Sequence, residues 1–238
     1  MGDEIRIGAS GFAECAVVYP KISTSKVRPF KFKTKGEGAG RSGYYKRAID
    51  TIRQYHASNN DRAVFKRVRQ ELGVLHSSLH PEVQFLERVK LAKNIDALIA
   101  YETIYGDRSF QLHPRHHLSV QIGGITVTAQ PDLWVSENAT EVLIKIGAAK
   151  KKPQQIDILL HLLRKAAIAS GYRIHAKNVA YLDVTNGREL SCQSDLGRFN
   201  KMFRNVAESI MAMWPEVKLS PPQINKDRPH QTDSGPNV

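Results

Sequence analysis

The sequence predicts an α+β fold, a mixed sheet flanked by helices, with a helical region ahead of the sheet. Three observations predict it. Residues 44–105 carry apolar side chains at helical spacing in three segments, and residues 118–146 carry three short strand patterns separated by turn residues. A long helical pattern follows at 153–170, before one more strand and one more helix. Helices that precede antiparallel strands fit this class better than a doubly wound sheet, in which the two alternate.

At the N-terminal end, residues 4–19 have short apolar runs around Gly8 and Gly11, and a hairpin or an extended arm is expected. Residues 20–53 hold ten Lys or Arg against Glu37 and Asp50, so this stretch is a candidate phosphate-binding region. In Pro29-Phe30-Lys31-Phe32-Lys33 aromatic and basic residues alternate. Two readings stay open there: bases stacked on exposed rings, or rings packed inward beside solvated charges. The run Gly36–Gly43 lacks the Lys-Ser/Thr that a phosphate-cradling P-loop needs and reads as a hinge.

Helical patterns span Tyr44–Ala57, Asp61–Leu72 and Pro81–Tyr105, the last with a stripe of Val83, Leu86, Val89, Leu98 and Ile99 and a possible break at Lys93-Asn94. His113, His116 and His117 follow. Adjacent residues point to opposite faces of an extended chain, so a loop of solvated or phosphate-facing histidines is expected rather than a metal site.

The central stretch begins at Leu118–Ile122, which alternates apolar and polar, and Gly123-Gly124 closes it as a hairpin. Ile125–Ala129 is β-branched and leads into Gln130-Pro131-Asp132-Leu133-Trp134-Val135. Ser136–Thr140 is a turn, Glu141–Ile146 a third strand ending at Gly147, and Pro153 suits the first turn of the long helix. Asn178–Val184 is a further strand with Asp183 as an edge or turn acid, and Leu196–Met213 an amphipathic helix. The residues divide as a basic arm and glycine-rich loop (1–43), a helical region (44–110), an α/β core (111–217) and a disordered tail (218–238).

Composition narrows function. A net charge of +12 and a pI near 9.7 favour a polyanionic partner, nucleic acid first. No apolar run approaches the roughly 18 residues of a membrane span, and the start lacks signal-peptide character. Cys15 and Cys192 match no metal spacing, so a reduced, cytoplasmic setting is expected.

Two polar residues sit where a sheet rarely places them. Asp132 follows a proline in a β-branched run, and Lys145 interrupts an aliphatic strand on the face of Leu143, opposite Val142, Ile144 and Ile146. Burying either without a partner is costly. The order strand, glycine turn, strand, Pro131-Asp132, strand with Lys145, then a helix with Gln155 resembles the PD-(D/E)XK nuclease superfamily, in its RecB-type exonuclease-like branch. The resemblance covers about 118–190. It implies a restriction-endonuclease-like core and metal-dependent hydrolysis of phosphodiesters in DNA.

Residue by residue, the resemblance implies Asp132 as the anchoring carboxylate for Mg²⁺ or Mn²⁺, Lys145 as the group that orients water and offsets phosphate charge, and Gln155 as a water- or backbone-contacting partner, with Gln154 as its rival. Glu102 is a candidate second metal ligand. Candidate nucleic-acid contacts are Lys150, Lys151, Lys152, Arg28, Lys31 and Lys33. One departure stands out: the family's acid two residues before the lysine is replaced by Leu143. Glu102, Asp157 or Glu141 would have to supply the missing carboxylate. Otherwise the fold acts as a non-cutting protein that binds DNA or a partner, and the third reading is a basic nucleic-acid-associated structural protein.

Overall fold

The computed structural model describes residues 4–32, 44–114, 116–147, 151–193 and 196–218. Among them the fold is α+β, with mixed sheets of three and five strands flanked by helices. The expected glycine hinge at 36–43 and nearly all of the expected tail lie outside the described residues.

The chain opens with β1 (Arg6–Gly8), α1 (Ala9–Val18) and α2 (Thr24–Lys31). The hairpin or arm expected over 4–19 is therefore a strand and a helix. β1 pairs in parallel with β4, and Ile7, Phe12 and Ala13 are fully buried. Gly11 lies against the Phe30 ring, where a side chain would collide with it. Phe30 and Phe32 both pack on this core, which settles the aromatic–basic run in favour of inward rings.

Three helices follow: α3 (Lys46–Ala57), α4 (Ala63–Ser78) and α5 (Phe85–Tyr105). α5 runs unbroken through Asn94, because the buried amide there is fully employed. Asn94 Oδ1 accepts the Ala48 N–H at 2.8 Å, and its Nδ2 donates to the carbonyls of Tyr44 and Lys90. A side chain on one helix thereby satisfies a first-turn donor on another.

The strands β2 (Gln111–Leu112), β3 (Leu118–Ile122), β4 (Ile125–Ala129), β5 (Leu133–Glu137) and β6 (Thr140–Gly147) come next, then α6 (Pro153–Ala169), β7 (Val179–Asp183), β8 (Arg188–Ser191) and α7 (Leu196–Met213). They split between two sheets. One has the order β1-β4-β3 and the other β2-β5-β6-β7-β8. The break falls between β4 and β5, at Gln130-Pro131-Asp132, where Pro131 has no N–H to offer a ladder.

Side-chain alternation then sorts the core. Leu133, Val135, Val142, Ile144, Ile146 and Leu182 point to one face of the five-stranded sheet, under α3, α4 and α5. Trp134, Leu143, Val179 and Tyr181 point to the other, where they share a core with α1, α6, α7 and the three-stranded sheet. β6 and β7 pair in parallel with α6 as the crossover between them.

Candidate functional site

Asp132 stands one residue before β5, and its backbone N–H donates to the Ile144 carbonyl at 3.0 Å. The β5–β6 ladder pairs Leu133 with Ile144 and Trp134 with Leu143, so the next step brings Asp132 beside Lys145. Asp132 Oδ1 accepts Lys145 Nζ at 2.9 Å, while Oδ2 accepts the Ile146 N–H at 2.7 Å. Lys145 Nζ also donates to the Gln130 carbonyl at 3.3 Å. The carboxylate thus takes the place of a backbone acceptor at the end of the ladder. The side chains are 17% and 26% exposed, so the pair is reachable yet largely shielded.

Across the parallel pairing, Tyr181 stands beside Lys145 and Asp183 beside Gly147. The Tyr181 hydroxyl fills the space over Gly147 that a side chain would otherwise take. Burial holds that hydroxyl protonated well above the usual range, and nearby Tyr45, Asp183 and Asp132 act in the same sense. Asp183 is fully buried. It is a turn acid, as expected, and accepts from the backbone N–H groups of Thr185 and Asn186, from Asn186 Nδ2 and from Arg188 Nε.

The remaining predicted residues scatter. Gln155 lies half-buried in the first turn of α6, with Gln154 exposed beside it and Lys152 exposed at the helix N-cap. Lys151 directly precedes Lys152, whereas Lys150 and Lys33 lie outside the described residues. Arg28 and Lys31 are on α2. Lys31 Nζ donates to the Trp214 carbonyl at 2.6 Å, above the Phe32 and Trp214 rings.

None of the three expected substitute carboxylates joins Asp132. Glu102 pairs with Arg69 at 2.6 Å, and its helix α5 covers the opposite face of the sheet from Lys145. Asp157 lies 3.5 Å from the buried His161 ring. Glu141 shares the Lys145 face but is four residues away, about 13 Å at the ~3.3 Å rise of a strand. Leu143, at the position of the family's acid, is wholly buried. No group of three or more His, Cys, Asp or Glu among the described residues is placed to hold a metal ion. Hard divalent cations need several oxygen ligands, and no such group gathers around Asp132 among the described residues. The described residues thus do not by themselves fit the implied Mg²⁺ or Mn²⁺.

Two features escaped the sequence reading. Trp134, His116 and Tyr172 form an aromatic cluster, with Trp134 edge-on to Tyr172 at 4.5 Å and to His116 at 5.0 Å. His116 is an exposed loop residue whose ring forms one side of this cluster. The second is a cavity of about 470 Å³ at the start of α6, lined by Gln154, Asp157, Ser191, Gln193, Arg198 and Phe199 among others. Behind it Cys192 Sγ lies 3.5 Å from His161 Nδ1, and the imidazole stacks on Phe199 at 3.9 Å. Burial pushes the Cys192 thiol up to about 12, so it is no ready nucleophile. Neither feature had a signal in the chain, because its members are far apart in sequence.

Neither a family model nor a curated protein matches the chain. Among solved structures, the chain is similar to SSO0001, known from a crystal structure. The identity is 13% and the TM-score 0.39, over 89% of this chain and 78% of that one.

Proposed function

We propose that this protein binds DNA through a nuclease-like α+β core, and that its Asp132–Lys145 pair closes the sheet instead of holding a catalytic metal. One observation carries the reading. Asp132 accepts from Lys145 and from the Ile146 N–H at the end of the ladder, while the position of the family's second acid is the buried Leu143. The net charge of +12 supports a nucleic-acid partner. So does Lys152, exposed at the N-terminus of α6, the end of a helix that favours an anion.

A second reading is metal-dependent phosphodiester hydrolysis. It is favoured by the pairing of Asp132 with Lys145, which lies on β6, the strand that precedes α6 in the chain, as the family resemblance implies. One experiment separates the two. End-labelled single- and double-stranded DNA is titrated with protein over a salt series, then incubated with Mg²⁺ or Mn²⁺. Salt-sensitive binding that weakens several-fold in Lys151→Ala/Lys152→Ala, without cutting, is the expected result. Metal-dependent cutting that disappears in both Asp132→Ala and Lys145→Ala would establish the hydrolase instead. Absence of binding to either DNA form would overturn both.

A further inference from the structure

Of the eight exposed large hydrophobic residues among the described ones, five sit at the tip of the α4–α5 hairpin. Val74 is 71% exposed, Leu75 43%, Val83 83%, Phe85 61% and Leu86 74%. Val83 and Leu86 belong to the apolar stripe that the sequence lays along this segment, yet the core is filled by later residues of α5, such as Leu98, Tyr101 and Tyr105. Apolar periodicity that the fold leaves uncovered marks an interaction surface.

The tip is held in shape. The His80 N–H donates to Gln84 Oε1 at 2.8 Å, the Gln84 N–H to the His80 carbonyl at 3.0 Å, and Ser78 Oγ to the Leu75 carbonyl at 2.8 Å. A surface ordered in advance pays little to dock.

Charge identifies the occupant. Residues 70–87 contain no Lys or Arg and carry Glu71, Glu82 and Glu87, in a chain whose net charge is +12. Glu71 and Glu87 are engaged within their own helices by Arg67 and Lys90, which leaves the centre of the tip close to neutral. Copies with so much positive charge repel each other over most approaches, and a Lys- and Arg-free apolar face relieves that repulsion. Within residues 70–87 a polyanion finds no Lys or Arg to grip, and the flanking Arg67 and Lys90 are paired with Glu71 and Glu87. We infer that the protein forms a two-fold dimer, tip against tip, with Val83, Phe85 and Leu86 at its centre. Such an isologous contact needs a self-complementary patch, and an apolar one meets that requirement.

The test is sedimentation velocity on the full chain over a concentration series. Three proteins are compared: wild type, Phe85→Glu/Leu86→Glu, and Ile168→Glu, which alters an exposed apolar residue on α6 away from the tip. The wild type should dimerise as concentration rises, and Ile168→Glu should match it. The tip variant should dissociate roughly tenfold or more readily, with unchanged far-UV circular dichroism. A wild type that stays monomeric throughout overturns the inference, as when another protein or another part of this chain covers the tip. So does a tip variant that associates like the wild type, or an Ile168→Glu protein that dissociates equally.

Discussion

Leu143 and Trp134 face each other in register across β6 and β5, both buried in the core beneath α6. The position at which the resembled nucleases carry an acid is here the partner of an indole in an apolar layer. Leu143→Asp would place an unpartnered carboxylate there. We expect a loss of about 3–5 kcal/mol, measured as a lower urea midpoint with an unchanged slope. If the hydrolase reading holds, Mn²⁺ should restore part of that loss. If the pair only closes the sheet, Mn²⁺ should leave the midpoint unmoved.

Asp132→Ala strips the acceptor from the Ile146 N–H and leaves Lys145 without its carboxylate. The expected cost is about 1–3 kcal/mol. Lys145→Met should cost less, since Asp132 keeps the backbone donor and some contact with water. A denaturation comparison in which Lys145→Met is the worse of the two would contradict the view that Asp132 terminates the ladder.

Gly147 is held small by Tyr181, whose hydroxyl occupies the space above it. Tyr181 is 1% exposed and has little room to withdraw, so Gly147→Ala should destabilise by about 1–3 kcal/mol. The double variant Gly147→Ala/Tyr181→Phe removes the obstructing oxygen. It should cost less than the sum of the two single changes, a coupling that a double-mutant cycle reads directly.

Stability should decline on both sides of neutrality, for different reasons. Burial raises Cys15 to about 11, Cys192 to about 12 and Tyr45 to about 12 in the folded protein, against ordinary values of 9.0 for the thiols and 10.0 for the phenol. A raised folded value means that the native state keeps the proton while the unfolded chain releases it. The contribution is therefore complete below pH ~9 and is lost as pH climbs through the folded values. His56 runs the other way. Burial lowers it below 6.5, and its neutral ring bonds Asn60 and Tyr101. Its contribution is present above that pH and falls away in acid. Urea midpoints measured from pH 5 to 11 should trace a dome. Both thiols should resist alkylation at neutral pH until the chain is unfolded.

The site was legible only in part. Asp132 and Lys145 are conspicuous in the sequence because an acid and a base inside β-branched runs must find partners, and they find each other. Glu102 was chosen for its place along the chain. Its actual partner, Arg69, lies on the neighbouring helix, and no local pattern announces an ion pair between helices. Lys31 alternates with aromatics in the sequence, and no local pattern tells that a turn of helix folds those rings inward and sets the ammonium on the Trp214 carbonyl.

What the sequence determined by itself is local: strands β3, β4, β6 and β7, the Gly123-Gly124 hairpin, and the helices α6 and α7 with their starts, whereas the second strand pattern, which runs on from Ala129 through Pro131 to Val135, proves to be two strands, β4 and β5, in different sheets. Side-chain period, turn residues and Pro153 act within a few residues of one another, so they need no knowledge of the fold. What the tertiary structure decided is pairing over distance. Residues 6–18 become a strand and a helix because β4 offers an edge to β1, and α1 buries Phe12 and Ala13 in the shared core. The sheet divides at Gln130-Pro131-Asp132 because ladder hydrogen bonds join segments far apart in the chain. The hairpin tip stays uncovered for the same reason: burial depends on what else the chain brings to a face, and a periodic stripe cannot specify its partner.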